Sequence, residues 1–419
     1  MYLTERMAEL RSGYSRSFWV ANTLELFERL AFYGTKAVLT VFLATKAGLA
    51  DEAGTLAGWF SGVIYALPIL AGVLVDKYGF RKTLIACFSM FTVGYFLIGL
   101  AGMEWGQEFV NLFGKRTYVI IVLMLTAIGG SLIKPCIVGT VAKTTNASSK
   151  AMGFSIYYSI VNLGGAIGPM MALIVRQDLG IEYVLVMSSF TSFLLLVGTY
   201  FFFDEPEGAG KSTEAPRTFE KVFGDMLLVF ANFRFILFLV IFSGFWIMFW
   251  QIFYLIPFYS TDVLHFEQYE ILETVDAWCI IFFSVLVAAV FKKWKPFTAI
   301  VVGFLIASLS WIIIGMIGTT AAVIIGVALF AVGEATQAPR FYEYVGSLAP
   351  REQVGTYMGF AFLPVAIGSV VAGNLADFLR LSYLQSNPSM MWYILALIGL
   401  TSTGGMVLYN LFLTNSIKP

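Results

Sequence analysis

Long apolar segments recur along the whole chain, and they limit its possible folds more than any other feature. Each has roughly 20 residues or more, enough to cross a hydrocarbon core of about 30 Å as a helix. The 419 residues are 59% hydrophobic and only 12% charged, whereas soluble domains carry about 25% charged residues. The sequence therefore predicts an all-α polytopic membrane protein and excludes a soluble globular fold.

The chain is predicted to cross the membrane twelve times. The spans are 17–47, 53–76, 81–103, 116–143, 149–178, 182–204, 233–262, 267–292, 296–318, 321–347, 352–380 and 388–414. Lys and Arg concentrate in cytoplasmic loops, so we expect both termini to be cytoplasmic in a plasma (inner) membrane. The basic residues left on the outer side are then Lys46, Lys115, Arg116, Arg176 and Arg380. The charged N-terminus has no short apolar core with a cleavage site, so we expect no removable signal peptide.

A polar stretch divides the chain near its middle, and the two halves resemble each other. "DEPEGAGKSTEAPRTFEKVFGD" occupies 204–225, Met-Gly-Phe occurs at both 152–154 and 358–360, and Pro135 corresponds to Pro339. The repeat predicts an N-terminal six-helix bundle at 1–204, a cytoplasmic linker at 205–232 and a C-terminal six-helix bundle at 233–419. Paired bundles are typical of transporters whose substrate site lies at mid-membrane between the repeats.

The first span carries charges in "ELFERLAFYG" and just beyond it. At about 100° per residue, Glu25, Arg29 and Lys36 share one side of a helix, with Glu28 and Tyr33 beside them. Each such charge costs roughly 2.5–3.5 kcal/mol at the centre of a membrane helix. Two interpretations follow: a stripe that faces a cavity, or an internal ion-pair cluster that holds helices together. The cavity is favoured because Lys36 has no acidic partner nearby in sequence.

The loop after the second span, "GVLVDKYGFRK" at 72–82, resembles a signature of the major facilitator superfamily. That resemblance implies twelve helices in two pseudo-symmetric bundles of six. It also implies a gating role for Asp76 and Arg81, since this loop helps to latch the outward-facing state in the superfamily. The corresponding loop of the second half, "VFKKWKPF", has lost the pattern.

Four further motifs resemble those of the proton-dependent oligopeptide transporter (peptide transporter) family. The first is Glu25-x-x-Glu28-Arg29-x-x-x-Tyr33-Gly34, with Phe32 where the family usually has a tyrosine. The others are "GGSLIKPC" in span four, "GFSIYYSIVNLGG" in span five and "GEATQAPRFYEYVGSLAP" in span ten. They occur in the family's order and extend over both halves of the chain.

The resemblance implies a pocket with two chemically different sides. Arg29, Lys36 and Lys134 would form a positive side that receives a substrate carboxylate. Asn162 and Glu334 would form the opposite side and receive an amino group, and Glu334 would also take part in proton coupling.

The resemblance also implies how protons enter the cycle. Glu25 and Glu28 would couple proton uptake to the release of Arg29, and the hydroxyl groups of Tyr33 and Tyr65 would bind substrate. A proton gradient supplies the energy in this family, so no cofactor is expected. The implied partners are small-molecule substrates, protons and the lipid bilayer, and the protein is expected to be a monomer. No metal site is expected, since the three cysteines lie in apolar spans, and the 26 acidic and 26 basic residues give no pull toward nucleic acid.

Span seven departs from the family pattern. Trp250 stands where the family has an acidic residue, and Gln251 follows it in "GFWIMFWQIFYLIP". We hypothesise that Asp276 in span eight replaces the missing acid; the alternative is an Asp276 in water at the outer helix end. Trp246 and Trp250 are also expected to narrow the substrate pocket, which places the chain in an outlying branch of the family. The linker has no room for the two extra helices common in bacterial members.

Span ten carries one more charged pair. Arg340 and Glu343 lie three residues apart toward the cytoplasmic end, where they form either a gate or a simple structural ion pair.

The leading functional hypothesis is a proton-coupled symporter that imports small zwitterions, with di- and tripeptides first. The alternative is a facilitator-superfamily antiporter that exports drugs or metabolites with the same acids. An enzyme is not expected, because the sequence has no His-rich metal cluster and no Gly-x-Ser-x-Gly elbow.

Overall fold

The computed structural model describes residues 14–145, 149–206, 219–350 and 353–414, and these ranges are almost entirely helical, with no strand among them. The "NAS" triplet at 146–148, the linker segment 207–218 and the basic residues Arg6, Arg11, Arg351 and Lys418 lie outside the described residues. Each predicted span overlaps a helical segment. The segments are α1 (Arg16–Thr45), α2 (Ala50–Ala66 with Pro68–Tyr78), α3 (Phe80–Leu100), α4 (Lys115–Ser131 with Ile133–Thr144), α5 (Lys150–Asp178), α6 (Ile181–Phe202), α7 (Phe233–Tyr254 with Ile256–Asp262), α8 (Tyr269–Phe291), α9 (Pro296–Ile317), α10 (Thr320–Leu348), α11 (Val354–Phe360 with Leu363–Tyr383) and α12 (Pro388–Tyr409).

Twelve membrane spans account for this arrangement. Ten helices of the described part are long and apolar enough to cross a membrane, and the two halves of α2, bent by 48°, together form an eleventh. The twelfth is α1, whose 30 residues give a length of about 45 Å. α1 is long enough to cross a membrane, but its charged residues lower its mean hydropathy below that of the other spans. The predicted all-α fold with twelve spans is therefore confirmed.

The two halves of the chain pack their helices in similar ways. In the N-terminal half, Gly164 of α5 lies against Arg29 of α1; in the C-terminal half, Gly368 of α11 lies against Trp246 of α7. In both places the missing side chain lets one helix approach the other closely, as in other membrane helix pairs. Trp246 thus packs between helices of one bundle, as Arg29 does in the other.

The linker contains a helix that the sequence analysis did not predict. Phe219–Ala231 spans 13 residues, with Val222 and Val229 buried while Phe223 and Leu227 are exposed. One apolar side therefore packs against the protein and another faces outward, as in helices that lie along a membrane surface. The predicted division at 205–232 coincides with this connection, and the domain limits stay a prediction.

Hydrogen bonds and ion pairs between the bundles cluster at the predicted outer end. Asp377 of α11 accepts hydrogen bonds from the backbone N–H groups of Gly54 (2.8 Å) and Thr55 (2.7 Å) at the start of α2. Arg176 of α5 forms an ion pair with Glu270 of α8, with an Nε–Oε1 distance of 2.5 Å. These contacts hold α2 against α11 and α5 against α8, so the outer end is closed.

Two tyrosines toward the predicted cytoplasmic side are partly exposed near Glu334. Tyr158 on α5 is 49% exposed and Tyr342 on α10 is 41% exposed, although both lie within electrostatic range of Glu334. Side chains that are near a mid-helix carboxyl and still exposed line an open space. We interpret the conformation as closed to the outside.

Closure of the outer end depends on a glycine in α2. A Cβ atom at Gly58 would lie 2.7 Å from the carbonyl oxygen of Ser369 on α11, too close for either backbone to accept. We predict that Gly58→Val disfavours the closed outer end by about 1–3 kcal/mol, which is about 5- to 150-fold in population. Thr40 of α1 is buried and donates a hydrogen bond to the Phe253 carbonyl of α7. A Thr40→Cys substitution therefore reports opening of the outer end through the accessibility of its thiol.

The measurement is labelling of that cysteine by a membrane-impermeant thiol reagent, in a background without the three native cysteines. The matched control is Gly404→Val on α12, since no atom of a neighbouring segment lies within 4 Å of a Cβ built at Gly404. Labelling should rise in the Gly58 variant and not in the Gly404 variant. Equal labelling in both would show that the glycine contact does not govern closure.

Candidate functional site

The charges of α1 form a buried cluster with α4 and α5. Arg29 donates two hydrogen bonds to the carboxylate of Glu28, at 2.5 Å from Nε and 2.8 Å from the second nitrogen. Its Nε also lies 3.5 Å from Oε1 of Glu25. Glu25 in turn accepts hydrogen bonds from Lys134 Nζ (3.1 Å) and the Tyr157 hydroxyl (3.2 Å). The cluster thus alternates acids and bases across three helices.

Of this cluster, Lys134 alone borders one of the described cavities. Glu25, Glu28 and Arg29 are at most 3% exposed, whereas the Lys134 side chain is 16% exposed. Lys134 lines a cavity of about 170 Å³ between α2, α4 and α11, which we call the lysine cavity. Its lining residues are Pro68, Ile69, Lys134, Pro135, Val138, Gly139, Gly359 and Phe362. The expected cavity-facing stripe is therefore wrong for Glu25, Glu28 and Arg29 in this conformation, and the internal ion-pair cluster describes their geometry.

A second cavity collects the predicted polar residues of the two halves. This central cavity, of about 50 Å³, is lined by Tyr33, Val161, Asn162, Gly165, Phe249, Phe253, Glu273, Asp276, Ala277 and Glu334. Tyr33 and Asn162 come from the N-terminal half, and the three carboxyl groups come from α8 and α10. The structure thus brings together Tyr33, Asn162 and Glu334, which belong to three separate motifs, and Asp276, which was proposed from the departure in span seven.

Asp276 lies on the wall of the central cavity, so the alternative of a water-exposed outer helix end is wrong. Its Oδ1 and the Oε2 of Glu334 are buried without a hydrogen-bond partner among the described residues. Within those residues, no group of His, Cys, Asp and Glu side chains is arranged to hold a metal ion. Lys134 pairs with Glu25, so replacement of the span-seven acid by Asp276 stays a prediction.

Lys36 is fully buried but belongs to neither cavity. Its ammonium donates to Ser61 Oγ (2.5 Å) and to the Tyr254 hydroxyl (3.2 Å). It also lies 4.6 Å from the ring centroids of Trp250 and Tyr254. Cation–π contacts of this kind are worth about 2 kcal/mol or more when desolvated. Trp250, in the position of the family's acid, thus contacts a cation through its ring and not through a carboxylate.

The remaining predicted wall residues lie close to this lysine or inside a bundle. The Tyr65 ring is 5.8 Å from that of Trp250. Gln251 is fully buried and donates to the Ala372 carbonyl at 3.0 Å. Trp246 packs on α11 and lines neither cavity. A direct substrate contact by Gln251 or Trp246 therefore has no support in this conformation.

The predicted gating residues make contacts within single bundles. Arg81 donates to the Tyr200 carbonyl of α6, while Asp76 is exposed at the end of α2. Arg340 lies 2.7 Å from the Glu343 carboxylate and donates to the Phe291 carbonyl at the end of α8. The ion pair stays within α10, whereas the hydrogen bond to Phe291 ties α10 to α8, and neither contact joins the bundles in this conformation. The gating roles stay predictions.

Comparison with known proteins identifies the superfamily to which this architecture belongs. The family model described as Major Facilitator Superfamily matches residues 24–373, which is most of the chain and extends through α1 to α11. The chain belongs to the Major Facilitator Superfamily. Solved structures agree: a POT family transporter in complex with a thioalcohol conjugated peptide has a TM-score of 0.78 at 16% identity, covering 96% of this chain and 97% of that chain. A POT family transporter in complex with 5-aminolevulinic acid gives the same values.

Within this superfamily, the chain is similar in sequence to peptide permeases over part of its length. It is 24% identical over 169 residues to a dipeptide and tripeptide permease B of Xenorhabdus bovienii, covering 39% of this chain and 32% of the permease. It is 30% identical over 172 residues to solute carrier family 15 member 2 of Rattus norvegicus, covering 39% of this chain and 22% of that protein. The matches span about a third or less of those relatives.

Sequence reasoning missed four polar residues that contact the predicted ones. They are Ser61, Tyr157, Tyr254 and Glu273. The signal for Glu273 was present, because it lies three residues before Asp276 and therefore close to the same helix side. The signal for Tyr157 was its place in the span-five motif. Nothing in the sequence pointed to Ser61 or Tyr254.

Proposed function

We propose that this superfamily member is a proton-coupled symporter that imports small zwitterions, most readily di- or tripeptides, by alternating access. The observation that carries the proposal is that cations and unpaired carboxyl groups lie on opposite bundles. Lys134 and Arg29 belong to the N-terminal bundle, while Asp276 and Glu334 line the central cavity from the C-terminal bundle. A substrate with a carboxylate at one end and an ammonium at the other matches this separation.

The proposed binding mode uses the groups nearest the two cavities. The substrate carboxylate reaches Lys134 from the lysine cavity and then competes with Glu28 for Arg29. The substrate ammonium takes the unpaired oxygen of Glu334, with Asn162 beside it in the central cavity. Charge-assisted hydrogen bonds of this type contribute about 1.5–3 kcal/mol each.

Proton coupling follows from the Glu28–Arg29 pair. An adjacent cation favours the ionised form of a buried carboxyl group, and burial without one favours the neutral form. When the substrate carboxylate takes over Arg29, Glu28 loses the partner that held its charge and binds a proton. Release of the substrate returns Arg29 to Glu28, which then releases its proton.

Both cavities are smaller than a substrate site needs. Their volumes are about 170 and 50 Å³, whereas sites for drug-sized ligands occupy about 300–1,000 Å³. Substrate binding therefore requires the bundles to move apart, as in a rocking transporter.

The relatives and structural neighbours support the substrate class by what they bind. They include dipeptide and tripeptide permeases and transporters solved with a peptide conjugate and with 5-aminolevulinic acid. The proposal includes a monomer in the plasma (inner) membrane with both termini cytoplasmic and no cofactor. The antiporter alternative uses the same acids but predicts substrate movement against the proton flow.

Binding specificity tests the substrate class directly. We expect dialanine to stabilise the purified protein by about 2.7 kcal/mol at a free concentration about 100 times its Kd, measured as a rise in Tm in detergent. N-acetyl-dialanine and dialanine amide each lack one charge and should stabilise it far less. A larger shift with either blocked peptide than with dialanine would contradict recognition of both charged ends.

A further inference from the structure

Glu273 is a buried carboxyl group that the roles assigned so far leave without a function. It lies on α8, one helical turn after Glu270, which pairs with Arg176, and is 2% exposed. Neither of its carboxylate oxygens has a hydrogen-bond partner among the described residues. Its side chain borders the central cavity beside Asp276 and Glu334. An acid in this position is in contact with the space between the bundles but not with any compensating group.

The surrounding charges do not neutralise Glu273. Arg176 of α5 is engaged by the Glu270 carboxylate and the Glu267 carbonyl. Lys36 of α1 lies within electrostatic range of Glu273 but forms no ion pair with it, since its ammonium binds Ser61 and Tyr254.

The other titratable groups near Glu273 add no positive charge. Tyr269 and Glu270 lie within electrostatic range on its own helix, while Asp276 and Glu334 share the cavity. An uncompensated carboxylate buried in this way costs several kcal/mol, and a bound proton removes that cost.

We propose that Glu273 carries a transported proton and takes the part that an acid on span seven has in related transporters. The inference rests on the proposed symport function and deepens it. It replaces Asp276 by Glu273 as the main substitute for the missing acid. Asp276 and Glu334 line the same cavity, so the proton passes close to them when it leaves Glu273.

The link to the outer gate is Lys36. Its hydrogen bonds to Ser61 on α2 and Tyr254 on α7 join the bundles at the closed end. The Tyr254 hydroxyl also lies 2.9 Å from the Ser369 hydroxyl of α11. When the O–H bond of Glu273 breaks, the proton passes to water in the central cavity and the electron pair stays on the carboxylate. That carboxylate attracts Lys36 away from Ser61 and Tyr254. Loss of the proton inside the cell therefore weakens the outer closure and resets the transporter.

Glu273→Gln tests the proposal in proteoliposomes with radiolabelled dialanine. With a pH gradient of one unit, accumulation is limited to about tenfold for each proton moved with the substrate. Because Glu28 and Glu273 each carry one proton in this proposal, wild type should accumulate about tenfold more dialanine than the glutamine variant, which should still exchange dialanine in counterflow. The control is Glu267→Gln, which removes an exposed carboxyl group from the loop before α8 and should accumulate dialanine like wild type. Gradient-driven accumulation by Glu273→Gln at the wild-type level would overturn the proposal.

Two measurements keep the test decisive if a variant misfolds or the substrate is different. Glu273→Asp keeps a titratable group and should shift the pH profile of uptake; an unchanged profile would count against a proton on this residue. If wild type neither exchanges nor accumulates dialanine, the peptide symport function fails by itself. Infrared spectroscopy then decides the inference separately: the band of a protonated carboxyl at neutral pH should weaken in Glu273→Gln, and an unchanged band would contradict it.

Discussion

Arg29→Gln is expected to abolish uptake and to lower the stability of the protein by about 3–5 kcal/mol. Removal of one partner from a buried ion pair leaves the other charge uncompensated, and costs of this size are typical. Glu28 accepts both of its hydrogen bonds from Arg29 and is 1% exposed, so it has no access to bulk water in this conformation. The checks are the Tm in detergent and dialanine uptake in proteoliposomes.

A double variant separates the structural from the functional part of that loss. In Arg29→Gln/Glu28→Gln both charges are gone, so most of the stability should return, while uptake should stay absent because the exchangeable pair is missing. Glu25 keeps its bond to Lys134 in both variants. Recovery of coupled uptake in the double variant would mean that the pair only holds α1 in place.

Glu334→Gln is expected to weaken dialanine binding by about tenfold or more with little change in Tm. Glutamine is close to the neutral acid in shape, but it lacks the charge that pairs with an ammonium group, an interaction worth about 1.5–3 kcal/mol. The carboxyl borders the central cavity, with one oxygen unpaired in the described part of the chain. Binding measured by isothermal titration calorimetry should show the loss.

The blocked peptide provides the control for this variant. Wild type should prefer dialanine to N-acetyl-dialanine, whereas Glu334→Gln should discriminate much less between them, because the group that recognises the ammonium is gone. An unchanged preference would show that another acid, with Asp276 the nearest candidate, receives the amino end.

The fold was predictable from the sequence because hydropathy and motif order are local properties of the chain. The span 296–318 carries no charged residue, and α1 was recognisable despite its charges through the Glu25–Gly34 motif. The linker helix Phe219–Ala231 was missed because its first half belongs to the polar stretch at 204–225 and its 13 residues are too few to cross a membrane. Breaks such as the one at Leu67, between the two halves of α2, depend on Pro68 and on packing against neighbouring helices.

The sequence named several residues of the candidate site but not their pairing. Motifs named Arg29, Lys134 and Glu334, yet no spacing indicates that Lys134 binds Glu25 across α1 and α4. Whether a carboxyl group keeps or lacks a partner depends on side chains from distant segments. Glu273 was overlooked for that reason: it is a glutamate like Glu270 three residues before it, and only the tertiary structure gives Glu270 an arginine partner.

The central claim is that an inward proton gradient drives this chain to accumulate a zwitterion. The direct measurement is uptake of radiolabelled dialanine by wild-type proteoliposomes, acidic outside, with and without a protonophore. The account predicts accumulation toward the limit of about tenfold per pH unit for each coupled proton, abolished by the protonophore. Accumulation only when the gradient is reversed, or simple equilibration that ignores the gradient, would contradict it.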